Sequence, residues 1–233
     1  MSKKLLMSNC YYYSENGLLP VMDGLICWLD GRDGKGTGVT WKDRSKNGND
    51  FTLNGFTFTG DNGWTGKNLK TNFHEYAISE ISLSTEYTIE VDLFVDGTKD
   101  NEQTTFFYFG DGNTSGVWRE CTFRRDGGSF QVMYNRRSLH IPVAYKRYRL
   151  TLMGEGDKIY LYIDGVKLYE HIGNNVISGL SANFYLGCGR NLDRFSQARF
   201  NSVKIYNRVL TEEEIQQNYL YEQSIERGEN SVR

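Results

Sequence analysis

Proline occurs only twice in 233 residues, against 25 glycines, 16 tyrosines, 13 phenylalanines and 4 tryptophans. That balance suits a large β-sandwich better than a helical protein, and sandwiches of roughly 200 to 250 residues fold as one domain. Lysine and arginine never gather into a long basic run, and the formal net charge is −2. A phosphate-backbone partner requires a concentrated cationic face, so nucleic acid is excluded as the expected ligand. No apolar stretch approaches the roughly 20 residues of a membrane-spanning helix, so membrane insertion is not expected. The cysteines, Cys10, Cys27, Cys121 and Cys188, are scattered without a C-x-x-C pair, which removes zinc and thioredoxin-type readings. Cys27 and Cys188 fall in apolar runs and are expected as buried, reduced thiols. His74, His140 and His171 lie far apart, without the H-E-x-x-H spacing or a Cys or Ser partner to favour. The opening Met1-Ser2-Lys3-Lys4-Leu5-Leu6-Met7-Ser8 is too short in apolar residues for a secretory signal, so synthesis and retention in a cytoplasm are expected.

Residues 1–20 hold Tyr11-Tyr12-Tyr13 and Pro20 without a period of two or 3.6, and are expected as an N-terminal arm, flexible or used in assembly. From Leu25 onward, short apolar or alternating runs are separated by Gly, Asn and Asp clusters, the pattern of strands joined by turns. Strands are expected near 25–30, 51–58, 75–79, 86–95, 104–109, 117–124, 129–134, 145–153, 158–163, 166–170, 183–188 and 198–206, enough for two packed sheets. The sharpest local signal is Asp164-Gly165 between Lys158–Ile163 and Val166–Tyr169, the dipeptide that a type I′ hairpin turn prefers. In that hairpin Ile159, Leu161 and Ile163 share one face, while Tyr160 and Tyr162 share the other as an aromatic surface. One helix is expected near the end. Thr211-Glu212-Glu213-Glu214 forms a capping box, and Leu210 with Ile215 a hydrophobic staple. Domain boundaries follow as an arm over 1–20, a sandwich over 21–223 and a polar tail over 224–233.

Several of these stretches carry a resemblance. Gly24-Leu25-Ile26-Cys27-Trp28-Leu29-Asp30-Gly31, Trp41-Lys42-Asp43-Arg44-Ser45, Tyr87-Thr88-Ile89-Glu90-Val91, the Tyr160 to Val166 hairpin, and Arg199 through Ile215 resemble the laminin G-like, concanavalin A-like lectin/glucanase superfamily. The likeness is nearest to small jelly-roll modules of bacterial surface proteins and phage structural proteins. It covers most of residues 21–222 and implies an all-β, two-sheet antiparallel jelly-roll sandwich with a short C-terminal helix. It departs at Gln197-Ala198, where many relatives have a glycine.

Catalytic members of the superfamily place E-x-D-x-x-E, or a form one residue longer, on one strand. Glu90, Asp92 and Asp96 are therefore the candidate carboxylates of a divergent laminarinase- or lichenase-type hydrolase. Val95 stands where the second glutamate belongs, however, and Asp96 precedes a glycine, which favours a non-catalytic module. Gly31-Arg32-Asp33-Gly34-Lys35-Gly36-Thr37-Gly38 lacks the order of a phosphate loop and reads as a surface loop. Trp118, Arg119, Arg124, Arg125, Tyr134, Arg136 and Arg137 interleave rings and guanidinium groups on neighbouring strands. Such groups stack on sugar faces and hold acidic substituents, so Trp118, Arg119, Arg124, Tyr134 and Arg136 are the ligand-binding candidates. Calcium is the usual metal of laminin G-like rims, and Asp111, Asn113, Asn191 and Asp193 offer the hard oxygens it takes. A chain that starts at its own Met, without an export signal, resembles the phage members most. A virion-associated head or tail module is therefore expected, meeting host-surface glycan and joined to other virion proteins or to itself through residues 1–20. A structural subunit without a ligand is the remaining alternative.

Overall fold

The computed structural model describes residues 6–8, 11–14, 17–34, 36–58, 62–97, 103–114, 117–126, 129–134, 137–141, 147–173 and 175–227. The strands are β1 (Leu6–Ser8), β2 (Tyr11–Ser14), β3 (Gly17–Leu18), β4 (Leu25–Asp30), β5 (Thr40–Trp41), β6 (Phe51–Asn54), β7 (Gly63–Trp64), β8 (Leu69–Thr71), β9 (Tyr76–Ser82), β10 (Tyr87–Gly97), β11 (Thr104–Thr114), β12 (Val117–Asp126), β13 (Ser129–Tyr134), β14 (Arg137–His140), β15 (Arg147–Glu155), β16 (Lys158–Ile163), β17 (Val166–Ile172), β18 (Ser181–Leu186) and β19 (Gln197–Tyr206). Helix α1 (Glu212–Glu226) follows. One eight-stranded sheet runs β17-β16-β15-β10-β19-β8-β7, with β4 also paired to β19. The second, also eight-stranded, runs β14-β13-β12-β11-β18-β9-β6-β5. Every pairing is antiparallel, so the two sheets form the sandwich expected from the sequence.

Period-two alternation builds the core. Ile89, Val91 and Leu93 of β10 and Leu150 and Leu152 of β15 meet Phe107, Phe109, Phe123 and Val132 of the second sheet, all buried in one apolar cluster. Aromatic rings cross the gap between the sheets: Phe123 and Tyr148 lie 5.0 Å apart between centroids. The 158–169 hairpin turns at Asp164 and Gly165 with φ of +51° and +76°, the doubly positive geometry of a type I′ turn. Two- to four-residue strands at 40–41, 63–64, 69–71 and 137–140 were not expected, because runs that short have no period to read. Cys27, Cys121 and Cys188 are free, buried thiols, and burial pushes the Cys188 thiol up to about 12. Cys10 lies outside the described residues.

Helix α1 covers the outer face of the first sheet. Thr211 Oγ1 accepts from the Glu214 amide at 3.3 Å and Glu214 Oε2 accepts from the Thr211 amide at 2.9 Å, so the capping box is complete. Leu210 and Ile215 bury with Tyr221, Tyr206, Trp28 and Tyr162 in a second cluster. Tyr162, on the aromatic face of its hairpin, is roofed by the helix. The helix continues to Glu226 with Ile225 packed on that cluster, so the polar tail starts later than residue 224. At the other end, β1 to β3 form a small separate sheet where no regular structure was expected. Leu18 and Val21 belong to the helix cluster, Val21 N donates to Asn218 Oδ1 at 2.8 Å, and Gln217 Nε2 donates to the Leu19 carbonyl at 2.8 Å. The packed body accordingly includes residues 18–20, upstream of the expected boundary at residue 21.

Candidate functional site

Glu90 and Asp92 are two residues apart on β10 and so share the outer face of the first sheet, the face beneath α1. Both are buried. Glu90 accepts from Asn218 Nδ2 at 2.8 Å and from Thr151 Oγ1 at 3.4 Å. Burial pushes its carboxyl up to about 7 against the pull of the Lys204 ammonium. Lys204 is buried beside it, bonded to Glu222, whose other contact is Ser202 Oγ at 2.7 Å. Asp92 takes the Arg147 guanidinium in a two-pronged grip at 2.8 and 2.6 Å and accepts from Asn201 Nδ2 at 3.0 Å. Asp96 is gripped by Arg199 at 2.7 to 2.9 Å. A raised carboxyl beside a charged one is the acid–base pattern of a glycosidase. The free space under the helix, however, is about 20 Å³, on the order of one water and no sugar ring.

The outer face of the second sheet is different. In β12 the alternation sends Trp118, Glu120, Thr122 and Arg124 outward, and Arg119, Cys121, Phe123 and Arg125 to the opposite side. Tyr108 of β11 stands opposite Thr122, and Met133 of β13 opposite it on the other edge. With the loop from Gly189 to Arg194, these side chains line a groove of about 410 Å³. The loop is fixed by Thr105 N donating to the Arg194 carbonyl at 2.7 Å and Gly189 N to the Asp193 carbonyl at 2.9 Å. Leu192 and Arg194 hold φ of +54° and +53°, a left-handed conformation that costs a branched or long side chain about 1 kcal/mol or more. Arg190 lies with its guanidinium 5.5 Å from the centre of the Trp118 ring. Gly112 leaves room for it in this position: a Cβ there would stand 1.7 Å from Arg190 Nη1 and the guanidinium would have to shift. The Tyr108 hydroxyl and Arg124 Nε are buried without a hydrogen-bond partner among the described residues. Burial and the Glu120 carboxylate raise the Tyr108 phenol, while burial and the Arg194 charge lower Arg124. Beside the groove Tyr108 packs with Tyr185 and Cys188 in a third buried cluster, against which Tyr76 and Phe195 lie partly buried.

Of the sequence candidates, Trp118, Arg124, Asn191 and Asp193 therefore meet in one groove. Tyr134 does not: β13 alternation turns Phe130, Val132 and Tyr134 inward, leaving Tyr134 1 % exposed, with its hydroxyl bound to Asn175 at 2.6 Å. Arg119 also points away, to the Val176 carbonyl at 3.4 Å and to Asp111 at 3.3 Å. Arg136 lies outside the described residues, as does the Asn113 side chain. Of the calcium candidates, the two described carboxylates each face a guanidinium. Asp111 is paired with Arg119, and Asp193 lies 3.9 Å from Arg194 Nε. No group of three or more His, Cys, Asp or Glu converges among the described residues, whereas calcium takes about six to eight oxygens. Tyr108, Glu120, Arg190 and Arg194 were not singled out from sequence. No local spacing marks them, because the groove joins positions more than sixty residues apart.

The family model described as the concanavalin A-like lectin/glucanases superfamily, of laminin G type 3, matches residues 75–216, more than half the chain. Among solved structures, domain 4 of AbnA, a GH43 extracellular arabinanase from Geobacillus stearothermophilus solved with arabinotriose, is 16% identical. Its TM-score is 0.61, with 84% of this chain and 98% of that one covered. Trypanosoma rangeli sialidase is 18% identical with a TM-score of 0.68, covering 90% of this chain but 34% of the sialidase. This chain thus spans about a third of that relative's length. The receptor-binding domain of botulinum neurotoxin C/D mosaic serotype is 15% identical with a TM-score of 0.63, covering 88% of this chain and 52% of that one. At these identities the likeness is one of fold. No curated protein matches the chain. No helix among the described residues is long and apolar enough to cross a membrane.

Proposed function

The chain belongs to the concanavalin A-like lectin/glucanases superfamily, and from that premise we propose that it is a non-catalytic module that binds carbohydrate in the Trp118 groove. One observation carries this reading. The outer face that α1 leaves uncovered holds an open groove of about 410 Å³ in which a tryptophan ring stands beside polar groups that have no partner of their own. A sugar presents an apolar ring face to an aromatic side chain and hydroxyls to the remaining donors and acceptors. The arabinotriose complex of the AbnA domain, matched over nearly its whole length, adds that a domain of this fold takes an oligosaccharide. Binding of the purified chain to a glycan array tests the reading: retained glycans that are lost in Trp118→Ala support it, and an empty array contradicts it in favour of a subunit without a ligand.

A second reading has its own observation, the Glu90 carboxyl raised to about 7 beside the charged Asp92. It makes the chain a hydrolase and requires reducing-sugar release from mixed β-glucans that Glu90→Gln abolishes. The setting is part of the proposal as well: a phage virion, supported by the resemblance to phage structural modules. Mass spectrometry of purified particles from cells carrying the gene should detect the chain, and its absence from the particles contradicts the setting.

A further inference from the structure

We infer that the groove selects an anionic sugar, one bearing a carboxylate or a sulfate, with the oxyanion received by Arg124, Arg190 and Arg194 while the ring lies against Trp118. The inference rests on the carbohydrate reading above and narrows its ligand class. Three guanidinium groups line the groove against two carboxylates, Glu120 and Asp193. Nη2 of Arg124 is spent on Asp126 at 2.9 Å, but its Nε is buried and, among the described residues, has no acceptor. The nearest carboxylate to Arg194 is its chain neighbour Asp193, at 3.9 Å, too far for a hydrogen bond. Among the described residues Arg190 has no carboxylate within ion-pair reach; its guanidinium lies against the Trp118 ring.

Like charges gathered in a half-buried groove repel unless an anion joins them. Two of these arginines flank a loop bent at Leu192 and Arg194 into left-handed conformations, strain of the kind that persists where the surroundings hold a site in shape. A planar carboxylate or a sulfate offers the paired acceptors that guanidinium forks bind best. The adjoining tryptophan requires that the same ligand also carry an apolar face. A sugar acid meets both demands, and a bare inorganic anion meets only the first.

The test uses the full chain on an array of matched pairs: uronate-bearing oligosaccharides beside their carboxyl-reduced forms, and sulfated oligosaccharides beside their desulfated forms. The acidic member of a pair should bind at least tenfold more tightly. That preference should shrink when sodium chloride is raised and should fall several-fold in Arg194→Gln and Arg190→Gln. Preference among uronates alone assigns the carboxylate, and preference among sulfated members alone assigns the sulfate. Neutral members bound as well as acidic ones overturn the inference and leave the carbohydrate reading standing, as does a preference unchanged in both arginine variants. If no glycan of either kind is retained, the reading itself falls.

Discussion

The two outer faces of the sandwich are made from the same residue types and end in opposite conditions. On the first sheet, Glu90, Asp92, Lys204, Arg147 and Glu222 are roofed by α1 and satisfy one another. On the second, Arg124, Tyr108 and Glu120 lie in an open groove, and buried donors there lack partners. A carboxylate or guanidinium is thus not functional by type. What separates the faces is coverage and charge pairing: under the helix the carboxylates and cations stand in ion pairs, although Arg149 Nε and Asp164 Oδ1 there also lack hydrogen bonds, whereas in the open groove Arg190 has no carboxylate within ion-pair reach among the described residues.

Breaking the covered face should cost the most. Lys204→Met leaves Glu90 and Glu222 buried without their cation, and such an uncompensated charge costs about 3–5 kcal/mol. The denaturation midpoint should fall accordingly, and an unchanged midpoint would mean that the network is solvated. Trp118→Ala makes the complementary cut. It should weaken retained glycans by about 2 kcal/mol, roughly 30-fold, with far less effect on the midpoint than Lys204→Met. A large loss of stability with affinity intact would reverse the assignment of the two faces.

The covered face also has a pH signature. With the folded Glu90 carboxyl at about 7 and the unfolded one near about 4.3, the folded chain holds the extra proton between those values. The stability this group contributes is full below the lower value and is lost as pH rises through the upper one. Melting temperature should therefore drop less between pH ~5 and pH ~8 in Glu90→Gln than in the wild type, and parallel profiles count against the burial of Glu90. Thr211→Ala, which opens the capping box over that face, should cost about 1 kcal/mol, measured as a shift of the urea midpoint. Smallest of all should be deletion of residues 1–17, which leaves Leu18 and Val21 under the helix and the melting temperature nearly unchanged. Assembly by the arm would appear as a lower mass in light scattering of the shortened chain.

Long alternating segments were legible in the sequence because period two has room to register: β4, β13 and β16 fall where the pattern put them. The capping box and the type I′ turn were legible because each is a local rule of two to four residues. The coverage of Glu90 was not, since nothing in β10 says where α1 docks. Tyr134 and Arg119 have the opposite strand parity from Met133 and Trp118, so an interleaving of rings and guanidinium groups along neighbouring strands does not by itself say which of them share a face. Arg190 and Arg194 were invisible as groove neighbours of Trp118, since only the tertiary path of the 189–194 loop brings them to the same groove, with Arg190 against the ring.

The claim that one face binds and the other only holds the fold is tested most directly by amide chemical shifts of the labelled chain, titrated with the strongest glycan from the array. Perturbations should centre on Trp118, Tyr108, Arg124 and the 189–194 loop, with the indole of Trp118 moving furthest. Perturbations centred instead on Glu90, Thr151 and Asn218 beneath α1 would contradict it.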